Sequence, residues 1–541
     1  MNKIIGRVSV SEKKPSTIDE FYFWLKSEIL MKPFDIVKVK HINNSSTYGI
    51  VQEISHITDS AGHMANYVSS DFGDVYSNPQ TLRLGMNFVR ANVLGNSKNI
   101  DMPVLTDSEV FFANEEEIRD ALGLGDYEKE IPAGYIKMSN NTVVPIGFNK
   151  DFLLGPEGAH INISGISGLA TKTSYAMFLL RAIQQKNKDV AFLIINVKGR
   201  DLLQLDIPAK DQADVLNDWK RCQLEFGPFK NVKYFYPFQN ISSSNYSLTN
   251  CKKEILDRQH DLDKAFNFIY TYEDHKEKLN LLFSNIDDPN LTWDSIMHKF
   301  IHDRQYQSIK TWDAFLSEIS ERSKKDSSKK DEIPVVSWRR FQRLIKTVVE
   351  PYLNKSIFQK CKSNNSKFKQ VFLSEEIDKI QSGDVFVVDV EKMQHAQHQF
   401  LIIGDIFQAA KNRMLSKTGD LKKIIIFFDE LNKFAPSGAP KNSPILLDIL
   451  DIAERGRSLG VILFSAQQFK SAIFDRIKGN CSTHVFGRTN AIEIAKNDYR
   501  FIPNTFKSNM TRLGKGELIV EHPLFRTLLK LRFPKPSYEQ S

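Results

Sequence analysis

Three stretches of the chain carry residues whose types and spacing could do phosphate chemistry. The first is Gly165-Ile166-Ser167-Gly168-Leu169-Ala170-Thr171-Lys172-Thr173. A short apolar run, Ile161–Ser164, precedes it, and a helical pattern follows. In such a loop the backbone N–H groups and the helix N-terminus can cradle phosphates. Gly165, Ser167, Gly168, Ala170 and Thr171 would bind ATP together with Lys172 and Thr173. Lys172 would neutralise the β and γ phosphates, and the Thr173 hydroxyl would sit on Mg²⁺. The match to G-x-x-x-x-G-K-[ST] is imperfect. Thr171 replaces the glycine expected before the lysine, and the loop counted from Gly165 is one residue too long. An ordinary strand–turn–helix corner also fits this stretch taken alone.

The second stretch, Ile424-Ile425-Ile426-Phe427-Phe428-Asp429-Glu430, is an apolar strand pattern ending in two acids. Adjacent carboxylates at the end of a buried strand are costly unless something uses them. Asp429 would support Mg²⁺, and Glu430 would polarise an attacking water. A helix cap or a solvated loop start is the plainer alternative. The third stretch runs through Glu454-Arg455-Gly456-Arg457 to Val461–Phe464 and then Ser465-Ala466-Gln467. Gln467 at a strand tip suits a γ-phosphate or water sensor. Arg455 or Arg457 could reach a neighbouring subunit's nucleotide as an arginine finger. Either could equally be a surface or cap charge.

These residues need a sheet to position them. Val190–Val197, Val385–Val390, Ile424–Phe428, Val461–Phe464 and Thr483–Phe486 are near-continuous apolar runs, as in strands buried on both faces. With a helix over Thr173–Gln185, they predict a parallel α/β sheet. Before residue 150 the pattern is of short strands and polar turns, including a hairpin from Phe34–Lys40 to Tyr48–Ile54 across Asn43-Asn44, and a short helix over Glu115–Gly123. This predicts a small barrel. Between about 240 and 380 the strand signal fades. Helices are expected over Glu254–Tyr270, Trp312–Ser323 and Trp338–Val349, forming an insertion in the α/β domain. Leu518–Pro536 reads as a hairpin and an extended tail.

A chain of 541 residues implies more than one core. Its 41% hydrophobic and 26% charged composition disfavours disorder for most of the chain. Cys222, Cys251, Cys361 and Cys481 lack disulfide or zinc spacing and read as buried thiols in a reducing compartment. Met1–Val10 has no apolar core of signal-peptide length, and no run approaches the roughly 18 apolar residues of a membrane helix. The expectation is a cytoplasmic protein with no membrane partner. The balance of 73 basic to 65 acidic residues, a net +8, permits nucleic-acid binding without implying it.

In the order loop, acidic strand, arginines and strand-end glutamine, the sequence resembles the HerA branch of the HerA–FtsK ring ATPases. Ile5-Gly6-Arg7-Val8, Tyr48-Gly49-Ile50-Val51, Thr58-Asp59-Ser60 and Arg83-Leu84-Gly85-Met86-Asn87 are similar to the barrel that precedes the motor in that family. Ala170-Thr171-Lys172-Thr173 resembles a variant Walker A of a bacterial subset, and Asn196-Val197-Lys198-Gly199-Arg200-Asp201 the segment after the second motor strand. The resemblance implies an α/β fold: a RecA-like P-loop core with additional strands, an N-terminal β-barrel and an inserted helical bundle. The expected divisions are 1–150 (barrel), 151–240 and 381–515 (motor), 241–380 (insertion) and 516–541 (a brace, around His522-Pro523-Leu524-Phe525-Arg526, that leans on a neighbouring subunit). It also implies Lys172 as the Walker A lysine, Asp429 and Glu430 as the Walker B pair, Arg455 as the finger acting in trans, Gln467 as sensor and Arg488 as a further basic residue beside the site. Ala159 stands where many members carry a basic residue.

The activity implied is ATP hydrolysis with Mg²⁺, driving translocation on double-stranded DNA as a homo-hexamer. A nearby-encoded effector is implied too, a nuclease or a sirtuin-like NAD hydrolase, some members with this loop acting in anti-phage defence. DNA would be gripped by its phosphates without sequence preference. Lys198 and Arg200 are candidates, as is a cluster around Arg322, Lys324, Lys325, Lys329, Lys330, Arg339, Arg340 and Arg343. Trp338 and Phe341 could stack on bases, although Phe341 also belongs to an apolar helix face. The competing reading is an ATP-binding ring that scaffolds an effector. A third is a monomeric nucleotide-binding enzyme acting on a small molecule.

Overall fold

A computed structural model describes residues 3–76, 84–166, 171–210, 213–242, 245–284, 286, 292–325, 332–363 and 368–540. Strands β1 (Gly6–Val8), β2 (Glu20–Leu25), β3 (Ile36–His41), β4 (Ser45–Thr58), β5 (Gly85–Asn96) and β6 (Glu109–Phe112) close into a barrel in the order β1-β2-β5-β4-β3-β6. Strand alternation fills it: Phe21, Phe23, Val37, Val39, Val89 and Val110 point inward and are buried together. The expected hairpin is present, with Ile36 opposite Ile50 and Val39 opposite Thr47. Asn43 and Asn44 make its turn at φ 56° and 52°, a region asparagine tolerates. Ile36 faces outward into the core shared with the rest of the chain.

A 14-stranded sheet forms the body. Its strands are β7 (Glu130–Lys137), β8 (Val143–Asn149), β9 (Ile161–Ser164), β10 (Val190–Asn196), β11 (Val232–Ser242), β12 (Asn245–Ser247), β13 (Ala265–Phe268), β14 (Gln370–Val371), β15 (Val385–Asp389), β16 (Lys423–Asp429), β17 (Val461–Gln467), β18 (Thr483–Phe486), β19 (Glu517–Glu521) and β20 (Leu529–Arg532). The order is β14-β13-β11-β15-β10-β16-β17-β9-β18-β19-β20-β7-β8, with β12 paired to β11. From β14 to β18 neighbours are parallel. From β18 to β8 they are antiparallel. Helix Thr171–Lys186 covers one face, where Tyr175, Phe178 and Leu179 share a core with the barrel wall. Helix Ala396–Leu415 and the helical insertion cover the other.

Several expectations are redrawn. Within 1–150, the barrel strands end at Phe112. β7 and β8 belong to the large sheet, through Tyr135 opposite Arg532 and the Tyr175 hydroxyl donating to the Ala133 carbonyl. Within 241–380, the helices Thr292–His302, Trp312–Arg322 and Val335–Val348 form the expected layer, but β12, β13 and β14 extend the sheet. The helix expected over Glu254–Tyr270 stops at Asp261, because Asp263 turns the chain at φ 56° into β13. The tail after β20 packs on its own chain. Trp219 Nε1 donates to the Lys535 carbonyl, and Tyr538 is buried. Of the cysteines, Cys222 and Cys481 are buried but Cys361 is exposed.

His522 ties these parts together. Its Nε2 accepts the Asn149 N–H at 3.1 Å, leaving the proton on Nδ1, 2.9 Å from the Thr483 hydroxyl. Burial lowers its pKa from 6.5 to about 3. The unfolded chain therefore takes up a proton below pH 6.5 that the folded chain refuses. Stability present above 6.5 is lost as pH falls towards 3, on the order of 2 kcal/mol at pH 5 from this residue. The melting temperature of His522→Gln should be lower at pH 8 yet fall less steeply between pH 7 and 5 than that of the wild type.

Candidate active site

The strand registers bring the chemistry together. Asn196 lies opposite Asp389, Asp429 opposite Ala466, and Gln467 opposite Ser164. The carboxyl ends of β15, β10, β16, β17 and β9 therefore form one row, the edge where open α/β sheets bind ligands. Within it the order β18-β9-β17-β16-β10 inserts β17 between the loop-bearing strand and the acid-bearing strand. This is the RecA-like P-loop fold with an additional strand.

After β9, Gly165 N–H donates to the Gln467 carbonyl at 3.2 Å, and Ile166 N–H to the Arg488 carbonyl at 2.8 Å. A Cβ on Gly165 would sit 3.1 Å from Gly487 Cα, so this close approach needs glycine. Ser167, Gly168 and Ala170 lie outside the described residues. The described part of the helix runs from Thr171, which is buried, as is Lys172. Thr173 Oγ1 donates to Asp429 Oδ2 at 3.0 Å. Glu430 N–H donates to Asp429 Oδ1 at 2.9 Å. Glu430 itself adopts φ 56°, ψ 44°, a left-handed conformation that costs roughly 1–2 kcal/mol for a residue with a side chain. That kink places its carboxylate 3.9 Å from Lys172 Nζ.

Burial drives the electrostatics. Desolvation lowers the Lys172 pKa, while the charges of Asp429 and Glu430 pull it back up. Desolvation raises the Asp429 pKa, opposed by Lys172 and the Thr173 hydroxyl. Among the described residues Lys172 Nζ has no hydrogen-bond partner, and neither amide atom of Gln467 has one, although Gln467 is fully buried. Buried polar atoms are nearly always satisfied. A charged donor and an amide both left open at one sheet edge suit a ligand bearing oxyanions. Thr173 and Asp429 supply the hard oxygen ligands Mg²⁺ prefers. Among the described residues no cluster of three or more His, Cys, Asp or Glu could hold a metal; an ion shared with phosphates needs none.

The other anticipated residues are spread more widely. Lys198 and Arg200 are exposed on the loop after β10, at the same edge, and the Lys198 charge is felt at Lys172. Arg488 is exposed beside the loop, its Nε donating to the Thr511 carbonyl. Arg455 and Arg457 stand near the end of helix Pro444–Leu459, just before β17 begins. They are at the opposite edge, about 20 Å from Gln467 along the strand. Arg455 pairs with Asp451 at 3.1 Å, and Arg457 Nη1 donates to the Glu157 carbonyl. Neither reaches this chain's own site. In the insertion, Lys325 and Arg340 are exposed, Lys324 pairs with Glu321, and Arg339 Nε donates to the Ser323 carbonyl. Arg322 is buried and paired with Glu318, and Trp338 and Phe341 are core residues, so none of these three offers a surface to DNA. Lys329 and Lys330 lie outside the described residues.

Sequence reasoning missed Asp389 and Asn196. Asn196 Nδ2 donates to Asp389 Oδ1 at 2.9 Å and to the Gly199 carbonyl at 3.0 Å, and Thr249 Oγ1 donates to Asp389 Oδ2 at 2.6 Å. Burial pushes the Asp389 pKa up to about 6. The signal was available: Val385-Phe386-Val387-Val388-Asp389 is another apolar strand ending in an acid.

No known family profile and no curated protein matches the chain. Among solved structures, the conjugative coupling protein TrwB (unbound form) is 11% identical, with 79% of this chain and 95% of that one covered at a TM-score of 0.45. VirB4 of Thermoanaerobacter pseudethanolicus is 12% identical, with 76% and 97% covered at 0.45. The genome packaging NTPase B204 of Sulfolobus turreted icosahedral virus 2, complexed with ATP-gammaS, is 12% identical, with 30% and 72% covered at 0.24. With every score below 0.5, the site is read from its own geometry.

If Lys172 and Gln467 face phosphate oxygens, Lys172→Ala should weaken binding of a fluorescent ATP analogue at least ~100-fold, the loss of a charge-assisted bond in a desolvated site. Gln467→Ala should weaken it by no more than ~10-fold. Equilibrium titration of both variants checks this.

Proposed function

We propose that this chain is a HerA-type motor ATPase that works as a hexameric ring on double-stranded DNA. The observation that supports this reading most strongly is the row of strand ends. Lys172, the Thr173–Asp429 pair, Glu430 and Gln467 converge there, with Lys172 Nζ and the Gln467 amide unpartnered among the described residues. Lys172 holds the terminal phosphates of ATP and the Gln467 amide contacts the γ-phosphate or the water beside it. Glu430 accepts the proton of the attacking water. Thr173 and Asp429 would hold Mg²⁺, which would supply charge neutralisation of the phosphates. Hydrolysis yields ADP and inorganic phosphate, the water proton passing to the Glu430 carboxylate.

Arg455 lies at the far edge of its own subunit, so its use as a finger requires a second copy. Lys198 and Arg200 at the nucleotide edge, with Lys324, Lys325, Arg339 and Arg340 as further candidates, grip DNA phosphates. Arg457 and Arg488 are secondary basic candidates. The effector is a partner protein, a nuclease or a sirtuin-like NAD hydrolase, and the setting is anti-phage defence in the cytoplasm. One feature favours a second reading, an ATP-binding scaffold for that effector: Thr171 occupies the place of the last Walker A glycine.

ATP hydrolysis by the purified oligomer, with and without duplex DNA, separates the two. A motor should hydrolyse at least ~100-fold faster than its Glu430→Gln variant, with further acceleration by DNA. Equal rates in both proteins would leave only the scaffold. Arg455→Ala should lower hydrolysis by about 10³-fold while sparing nucleotide binding. Mixing it with Glu430→Gln should restore part of the activity, because some interfaces then pair an intact Arg455 with an intact Glu430. No rescue in well-mixed rings would remove Arg455 from the mechanism.

A further inference from the structure

A cavity of about 830 Å³ opens at the edge of the sheet opposite the nucleotide site. It lies at the C-terminus of helix Thr171–Lys186, about 24 Å from the end that carries Lys172. Its walls carry Arg181, Lys186, Lys188, Lys220 and Lys230 against one acid, Glu225. Among the described residues, none of the five cations has an ion-pair partner, although exposed lysines elsewhere on this chain commonly do. Arg181 is buried. Its Nε donates to the Gly227 carbonyl and its Nη1 to Gln184 Oε1, both at 3.0 Å, with no carboxylate in reach of a salt bridge. Burial lowers its pKa, which Glu225 only partly offsets. Leaving a guanidinium desolvated without a counter-charge is expensive.

The walls are also held in place. Gln184 Nε2 donates to the carbonyls of Lys230 and Gly383 at 2.9 and 3.1 Å, and Gln185 exchanges hydrogen bonds with the Glu225 backbone. Among the described residues, the buried Asn187 has its Oδ1 unpartnered, and Ser382 Oγ is unpartnered too. Helix dipoles do not account for the charge. The C-termini of helices Thr171–Lys186 and Ala213–Arg221 bring roughly half a negative charge each, so with Glu225 they offset about two of the five positive charges. A surplus of about three remains, more than a single phosphate monoester neutralises.

We propose that this cleft binds the phosphates of a polyanion, at a site separate from the nucleotide site. The shared chemistry is a run of phosphate groups, supplied either by a nucleic-acid backbone or by a small polyphosphate. Arg181 at the base makes the directed contact and the four lysines track the remaining charges.

The test uses the full-length protein with its nucleotide site filled by a non-hydrolysable ATP analogue. Inorganic tripolyphosphate and, separately, a short DNA duplex are titrated by calorimetry into wild type and into a Lys186→Ser/Lys188→Ser/Lys230→Ser variant. The variant should bind at least one probe ~10-fold or more weakly. Its slope of log affinity against log salt should be shallower by about two to three if the duplex is the affected probe. An effect on the duplex alone assigns a nucleic-acid backbone, and an effect on tripolyphosphate assigns a small polyphosphate. Unchanged affinity for both probes, or no binding of either by the wild type, overturns the proposal. If the triple variant melts lower than wild type, Lys188→Glu replaces it with the same outcomes. The tripolyphosphate result is independent of whether the chain is a DNA motor.

Discussion

Everything at the carboxyl edge of the sheet depends on burying the Lys172 ammonium beside the carboxyl groups of Asp429 and Glu430 with little water around them. Alone, Lys172 would pay its full desolvation cost, and so would Asp429. Together, each offsets part of the other's penalty, which is why burial pushes the two pKa values in opposite directions while the partner charges pull both back. The balance holds only if the helix start and the strand end meet within a few ångströms. The 3.0 Å bond from Thr173 to Asp429 fixes that meeting. Glu430 cannot join it from an extended strand, so the chain adopts a left-handed kink at a non-glycine residue. Such strain persists where the surroundings over-determine it, and here it brings the second carboxylate to Lys172.

β17 converts this local balance into a site with two sides. Its position between β9 and β16 puts Gln467 between the loop and the acids, and places the preceding helix so that its last turn ends at the far edge. Gly456 allows that helix to lie close: a Cβ there would come 2.2 Å from the Val461 carbonyl oxygen. His160, neutral because burial holds its pKa near 4, accepts the Leu463 N–H at 2.9 Å and secures the same strand from the β9 side. One edge of the sheet therefore carries the open ligand groups, and the other carries Arg455 and Arg457. In the ring proposed above, contact between the two edges is head to tail, the kind of interface that closes into rings.

The central strands were legible because strands buried on both faces read as continuous apolar runs, and those at Ile161–Ser164 and Thr483–Phe486 are found with the same limits. The loop, the acidic pair and Gln467 were legible because each sits at the end of such a run. What failed was pairing. β7 and β8 alternate like barrel strands, and nothing local states that Tyr135 will lie opposite Arg532, almost 400 residues on. β13 was read as helix because Ala265-Phe266-Asn267-Phe268 is short and follows a true helix directly; its strand character comes from pairing with β11. Trp338 and Arg322 looked available for DNA because composition does not report burial. The basic cleft was invisible for a similar reason: Arg181, Lys220 and Lys230 come from separate segments that only the fold assembles.

Asn196 shows how the edge can transmit charge. It sits in register between Asp389 and the acid strand, and its amide holds both the Asp389 carboxylate and the Gly199 carbonyl. The loop carrying Lys198 and Arg200 is thereby fixed to the row that holds Lys172. Lys198 lowers the Lys172 pKa through space. An anion held at Lys198 would weaken that effect and favour the charge on Lys172 at the same edge. The coupling needs no moving part, because it acts through space between two ammonium groups at one sheet edge.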